Sequence, residues 1–357
     1  MARLFGRDWS RQELVRRVGR MSQLCGARLG QLDDGVERGV RIADLWTGSG
    51  FGFTVLLDRG MDIFNATWQG RSLAWHSSTG AVTPAFFEPE GLGWLRGFYG
   101  GLVVTCGLTY AGAPCVDEGQ PLGLHGRFSN SPASAVAVEQ GWQGDDYRVS
   151  LRGQVRETRV FGENICLTRT VTANLGENRF FIHDVVENEG FQASEHMILY
   201  HINTGFPAVD DAAELVSPTQ KATPRDAEAE KGKETYARFH APTPAYAEKV
   251  YYHEMATDKE GHVWAAVVNR ALGFGAYVRY KKAQLPQFIE WKMLGEGTYV
   301  VGMEPANCLV EGRDKERARG TLQFLQPGEK REYSLEIGAL TSTADVAALD
   351  QWVQRAK

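Results

Sequence analysis

A glutamate and a set of histidines are the side chains of this sequence best placed to move protons. Glu304 closes an apolar run in VVGMEPAN, one charged group at a strand end just before a proline. A carboxyl entering a partly buried position has its pKa raised, which suits a general base; a strand-end glutamate facing water is the alternative from spacing alone. His196 and His201 share the run SEHMILYHINTG, five residues apart. Side chains alternate faces along a strand, so the two point opposite ways and do not hold one metal together. His125 lies in the glycine-flanked GLHGRFS, His76 in AWHSS and His253 in YYHEM. Taken alone, each of these reads as a hydrogen-bonded structural or surface histidine rather than a catalyst.

Other chemistries have no signature. GSGFGF at residues 48–53 lacks the GxGxxG spacing and runs into a strand, so it reads as a hairpin turn and not a dinucleotide site. No GxxxxGKS/T phosphate loop and no GxSxG nucleophile elbow occurs. A net charge of −5 leaves no basic footprint for nucleic acid. The five cysteines, Cys25, Cys106, Cys115, Cys166 and Cys308, form no CxxC pair and no short metal-type spacing. They read as reduced thiols in a cytoplasmic protein. The first residues, MARLFGRDWSRQELVRRVG, lack the apolar stretch of a signal peptide. No run of about 18 apolar residues is present, so no membrane association is expected.

The elements that must position these groups read as strands. GVRIADLWTG and FGFTVLLDRG flank a glycine-rich turn. YRVSLRGQVRETRVFG, NICLTRTVTANLG, NRFFIHDVVENEG and SEHMILYHINTG follow one another, broken by Gly-, Asn- and Asp-rich clusters. HVWAAVVNR, GFGAYVRYKK, PQFIEWKML, TYVVGME, GTLQFL and REYSLEIGAL continue the pattern. Strands joined by short turns predict one large antiparallel β-sandwich rather than βαβ units. No linker divides the chain, so residues 1–357 are taken as one domain, with an N-terminal helical extension over 1–35 and a C-terminal helix over 341–357. Ser10 and Glu13 form a capping-box pattern for a helix over about 11–20. Val346, Leu349 and Val353 recur at helical spacing after Ser342 or Thr343. SSTGAVTPAFFEPEGLGWLRGFYGG reads as a long ordered loop near a site, and SPTQKATPRDAEAEKGKE as an exposed, mobile one.

Taken together, LHGR, LYHINTG and VVGMEPAN resemble, in that order, the HG, histidine and catalytic-glutamate segments of the aldose 1-epimerase or galactose mutarotase superfamily. LLDRGMDI, GGLVVTCGL and LPQFIEWKMLGEGTYVVGMEPAN resemble an uncharacterised bacterial branch of it, over residues 35–340. The resemblance implies that His201 is the general acid protonating the ring oxygen and Glu304 the general base at the anomeric hydroxyl. It implies that His125 hydrogen-bonds near the ring oxygen, and that no metal or other cofactor is needed. Tyr99 precedes Gly100 and Gly101 where phosphosugar relatives carry Arg-Gly-Gly, and the aspartate with which galactose enzymes hold sugar hydroxyls has no clean match.

Around the pair, Trp291 and Trp94 can stack on a sugar face or pack in the core. Arg59 and Asp62 can bind sugar hydroxyls or form a structural ion pair. Arg127 follows the HG and is expected to line the cleft. Asn203, two residues beyond His201, shares its face of the strand. His183 is read as structural. The expected partner is a small-molecule sugar, with a homodimer left open. Three functions compete: a mutarotase, a sugar-sensing protein without catalysis, and an epimerase or isomerase of a keto or acidic sugar that would use Arg59, Arg127 or Lys292. A glycoside hydrolase would need a second carboxylate to pair with Glu304, and none is evident.

Overall fold

In the computed structural model, which describes all 357 residues, apolar residues at every second position give each long strand a face to bury. Ser194–Thr204 illustrates the rule: Ile198, Tyr200 and Ile202 face one way into the main core, while Met197 and Leu199 face the other. Twelve strands form one sheet. Its order runs Thr219–Pro224, Lys249–Met255, Gln287–Gly295, Thr298–Ala306, Ser194–Thr204, Val103–Leu108, Asp62–Trp68, Phe51–Leu56, Arg41–Trp46, Gly26–Gln31, with two short strands attached at the side. Eight strands form a second sheet, from Ser134–Gln143 through Lys330–Leu340 to Glu214–Val216. The pairings in both are antiparallel, as the strand pattern predicts.

The two sheets share a core of 58 buried residues. Arg169 crosses it, its guanidinium bonded to Asp184 at 2.7 and 2.9 Å, to Asp62 Oδ1 at 2.8 Å and to Thr105 Oγ1 at 2.9 Å. A smaller core of 18 residues, including Trp94, Phe98, Val104, Leu199, Ile289 and Ala306, lies on the outer face of the larger sheet. Loops cover that face, and it is where the candidate site forms. The C-terminal helix, Thr343–Ala356, is capped by Ser342 and packs Val346, Leu349 and Val353 on the outer face of the smaller sheet, as expected. No helix is long and apolar enough to cross a membrane.

Three expectations are corrected. The first 35 residues hold more strand than helix: Ala2–Leu4 pairs with Arg7–Trp9, and Gly26–Gln31 extends the larger sheet. The Ser10–Glu13 capping box is present, but its helix ends at Val15 because no apolar stripe continues to hold it against the body. The stretch read as a mobile loop contains the Thr219–Pro224 strand and a short helix, Ala227–Glu230, capped by Asp226. A helix at Arg313–Arg319 has no counterpart in the sequence reading; Asp117 holds it through Arg313 and Arg317.

Candidate active site

Three neighbouring strands of the larger sheet bring the acid–base residues together. Ile202 pairs with Met303, which sets His201 beside Glu304 on the outer face; Trp291 and Gly302 are opposite one another in the next pairing. His201 Nε2 lies 3.1 Å from Glu304 Oε1, and both side chains are almost wholly buried. The two atoms are close but not in line, so Glu304 Oε1 has no hydrogen-bond partner, and neither does His201 Nδ1. Gly302 makes the approach possible. A Cβ there would stand 2.8 Å from Glu304 Oε1, 3.1 Å from Trp291 Cβ and 3.2 Å from His201 Cε1.

Burial sets the charge state of the pair. It pushes the Glu304 carboxyl well up, helped by Glu248 and opposed by Arg225. It pulls His201 down to about 3, with His125 adding to the effect. Both changes favour the uncharged combination of carboxylic acid and imidazole. His125 is likewise pulled down by burial, to about 4.

His125 enters the site from a turn that the HG dipeptide shapes. Its backbone is left-handed, at φ 55°, and is held by His125 N donating to Gly112 O at 2.9 Å and Gly107 N donating to His125 O at 3.2 Å. Gly126 follows under the carbonyls of Gly107 and Tyr110, with no room for a side chain. The imidazole packs on Trp94, ring centroids 4.9 Å apart, and meets His201 edge-on at 5.8 Å.

These groups lie in a cleft of about 450 Å³ walled by Trp94, Phe98, Trp291 and several aliphatic side chains. Phe98 and Trp291 both approach the His201 ring, at 5.5 and 5.3 Å. Trp291 Nε1 donates to Glu248 Oε2 at 2.8 Å, and Arg225 donates to Glu248 Oε1 at 2.9 Å. Arg225 also bonds Asp226 at 2.8 Å, so the one arginine of the cleft is already paired.

The structure thus gathers His201, Glu304, His125, Trp291 and Trp94. Trp94 is also a packing residue, its Nε1 donating to Ser129 Oγ at 3.0 Å. Asn203 shares the face of His201 but spends its amide on the carbonyls of Gly100 and His201, outside the cleft lining. Arg59 and Asp62 are not in the site, and they are not an ion pair with each other. Arg59 is buried and donates to Ser129 O, Val82 O and Gly97 O at 2.6, 2.5 and 2.8 Å, tying down the loop that carries Trp94 and Phe98. Asp62 accepts from Thr105 and Arg169 inside the core. Arg127 is exposed and lines a separate polar groove with Arg156 and Arg159. Lys292 faces away from Trp291, its ammonium capped by the carbonyls of Thr235, Tyr236 and Arg238. His196 points into the core to Tyr333 at 2.7 Å, opposite to His201 as the alternation requires. His183 is exposed beside Ser334.

Sequence reasoning missed Arg225, Glu248, Phe98 and Gly302. Phe98 lies in the loop that was expected near a site, and Gly302 is inside the glutamate motif. Arg225 and Glu248 carry no signal of their own.

No curated protein matches the chain. Among solved structures, a provisionally assigned aldose 1-epimerase of Klebsiella pneumoniae is similar over 92% of this chain and 87% of its own, with TM-score 0.89 and 29% identity. A galactose mutarotase-like protein of Clostridium acetobutylicum shares the fold at TM-score 0.62 and 10% identity, over 89% of this chain and 99% of its own. Galactose 1-epimerase of Lactobacillus acidophilus does so at 0.56 and 13%, over 88% and 99%. The chain is therefore built on the galactose mutarotase-like β-sandwich, and since the model of the domain of unknown function DUF4432 matches residues 37–339, it belongs to that family.

Proposed function

We propose that the protein is an aldose 1-epimerase, interconverting the α and β anomers of a free sugar through its open-chain aldehyde. The observation that carries this reading is the buried contact between His201 Nε2 and Glu304 Oε1, 3.1 Å apart on the floor of an aromatic cleft. Ring opening takes a proton from the C1 hydroxyl and gives one to the ring oxygen. Both oxygens are bonded to C1. A base and an acid in contact can therefore serve both from one side of the ring.

The reaction needs the pair to hold one proton. With that proton on His201, Glu304 accepts from the C1 hydroxyl as His201 donates to the ring oxygen. Rotation about C1–C2 then exposes the other carbonyl face, and closure returns each proton by microscopic reversibility. At rest burial favours the proton on Glu304. Rotation of either side chain to bring the two atoms, 3.1 Å apart, into line lets the proton pass and supplies the other form.

A sensing protein would not need both an imidazole and a carboxyl in contact within the cleft; the similar His253–Glu290 contact, 3.3 Å, is buried away from it. The acidic-sugar reading loses its cations, because Arg59, Arg127 and Lys292 are all outside the cleft. The test is anomer exchange, measured by NMR saturation transfer on a panel of free aldoses. Exchange above the buffer rate with wild type, lost in Glu304→Gln, is expected. Binding of a sugar without faster exchange for any member would overturn the reading.

A further inference from the structure

The cleft is unusually poor in groups that can recognise hydroxyls. Beyond the acid–base pair, its polar side chains are Arg225, Glu248 and His125, and the first two are bonded to each other. The rest of the lining is aliphatic, chiefly Leu92, Leu95, Pro114, Leu124, Val250 and Val310, with the aromatic rings. Several of the main-chain donors in the lining are also engaged. The amides of Leu95, Phe98, Ala113, Leu124 and His125 all donate to other main-chain carbonyls, and Pro114 has no N–H.

Two of these apolar residues are also conspicuous on the surface. Leu92 is 61% and Leu95 47% exposed, both at the rim of the cleft on the loop that Arg59 ties down. A hexose hydroxyl set against this wall would lose water and find no partner, whereas a C–H or methyl group would cover the leucines.

The geometry points to a deoxy sugar as the substrate class: an aldose with hydrogen or methyl where an ordinary hexose carries a hydroxyl. In this arrangement His125 and Nη1 of Arg225, which the bonds to Asp226 and Glu248 leave uncommitted, hold the remaining hydroxyls, and the aliphatic wall takes the deoxygenated edge. The inference rests on the proposed function for the placement of C1 against His201 and Glu304. Its own content is which sugar binds.

Binding can be separated from turnover by titrating the Glu304→Gln protein calorimetrically with matched pairs: galactose and 6-deoxygalactose, mannose and 6-deoxymannose, glucose and 2-deoxyglucose, in D and L series. The deoxy member of at least one pair should bind on the order of 10–100-fold more tightly, the range over which an apolar pocket discriminates a single group. Leu95→Asn, an exposed position that the fold tolerates, should narrow or reverse that preference. Equal or tighter binding of the parent hexose in every pair, or binding of no member, would overturn the inference. A deoxy preference without anomer exchange in wild type would leave it standing and remove the mutarotase. Exchange without a deoxy preference would do the opposite.

Discussion

Gly302→Ala adds one methyl group at the point where the strands are tightest, and its consequence can be worked from three distances. The new Cβ would meet Glu304 Oε1 at 2.8 Å, Trp291 Cβ at 3.1 Å and His201 Cε1 at 3.2 Å. The first is closer than real Cβ atoms come to other heavy atoms, and the other two require their neighbours to give. Trp291 is packed against Phe98 and Trp75, so the carboxylate and the imidazole must move. A displacement near 1 Å of a reacting group costs about 100-fold in rate. The fold should survive: overpacking costs about 1–3 kcal/mol, partly offset because alanine is about 0.5–1 kcal/mol better than glycine inside a strand. Exchange rates of Gly302→Ala and wild type would be compared on the sugar with the highest wild-type rate, with thermal melts of both. Gly141→Ala, where a Cβ meets nothing within 4 Å, is the control and should be unchanged. Activity of Gly302→Ala within about twofold of wild type would refute the claim that the close approach of strand, carboxylate and imidazole matters.

Further outcomes follow from the buried charges. The pair must hold one proton, and for ordinary groups that window runs from about 4.3 to 6.5. Burial widens it, because His201 is pulled to about 3 and Glu304 is pushed well up. A kcat/KM profile should therefore be flat through pH 7, and a fall with an apparent pKa near that of free histidine would contradict it. Folded Glu304 keeps its proton above the pH at which the unfolded carboxyl loses it, so its contribution turns destabilising as pH rises beyond the ordinary carboxylate value. Glu304→Gln should then be more stable than wild type at pH 8 by on the order of 1–2 kcal/mol, with little difference at pH 4, as read from denaturant melts. Arg169→Met leaves Asp62 and Asp184 buried without their cation and should cost about 3–5 kcal/mol in the same assay. Arg59→Met strips the donor from three carbonyls around the site loop; it should lower stability by about 3 kcal/mol and raise KM more than it lowers kcat.

What the sequence made legible follows from which interactions are local. Alternation along Ser194–Thr204 put His201 and His196 on opposite faces, and the strand keeps that period without a bulge. Helical spacing placed Val346, Leu349 and Val353 on one stripe, and they pack as one. The N-terminal segment misled because a capping box specifies where a helix starts and says nothing about how long packing sustains it. The segment around Arg225 misled because its polar composition is that of a loop, yet pairing with Lys249–Met255 makes part of it an edge strand and delivers Arg225 to the cleft.

Arg59 and Glu304 show where the boundary lies. Each is a charge following an apolar run, in LLDRGMDI and VVGMEPAN, although Arg59 has Asp58 beside it, and sequence spacing offers both as site candidates. Their difference is in what they find after folding. Arg59 bonds carbonyls 23, 38 and 70 residues away, so it positions a loop, and it lies outside the cleft lining. Glu304 Oε1 and His201 Nδ1 find nothing, although both lie in the interior. A buried polar atom without a hydrogen-bond partner is unfavourable. His253 and Glu290 also meet in the interior without partners, but away from the cleft, so what sets Glu304 and His201 apart is that folding places their contact in the cleft lining, where a ligand can reach it.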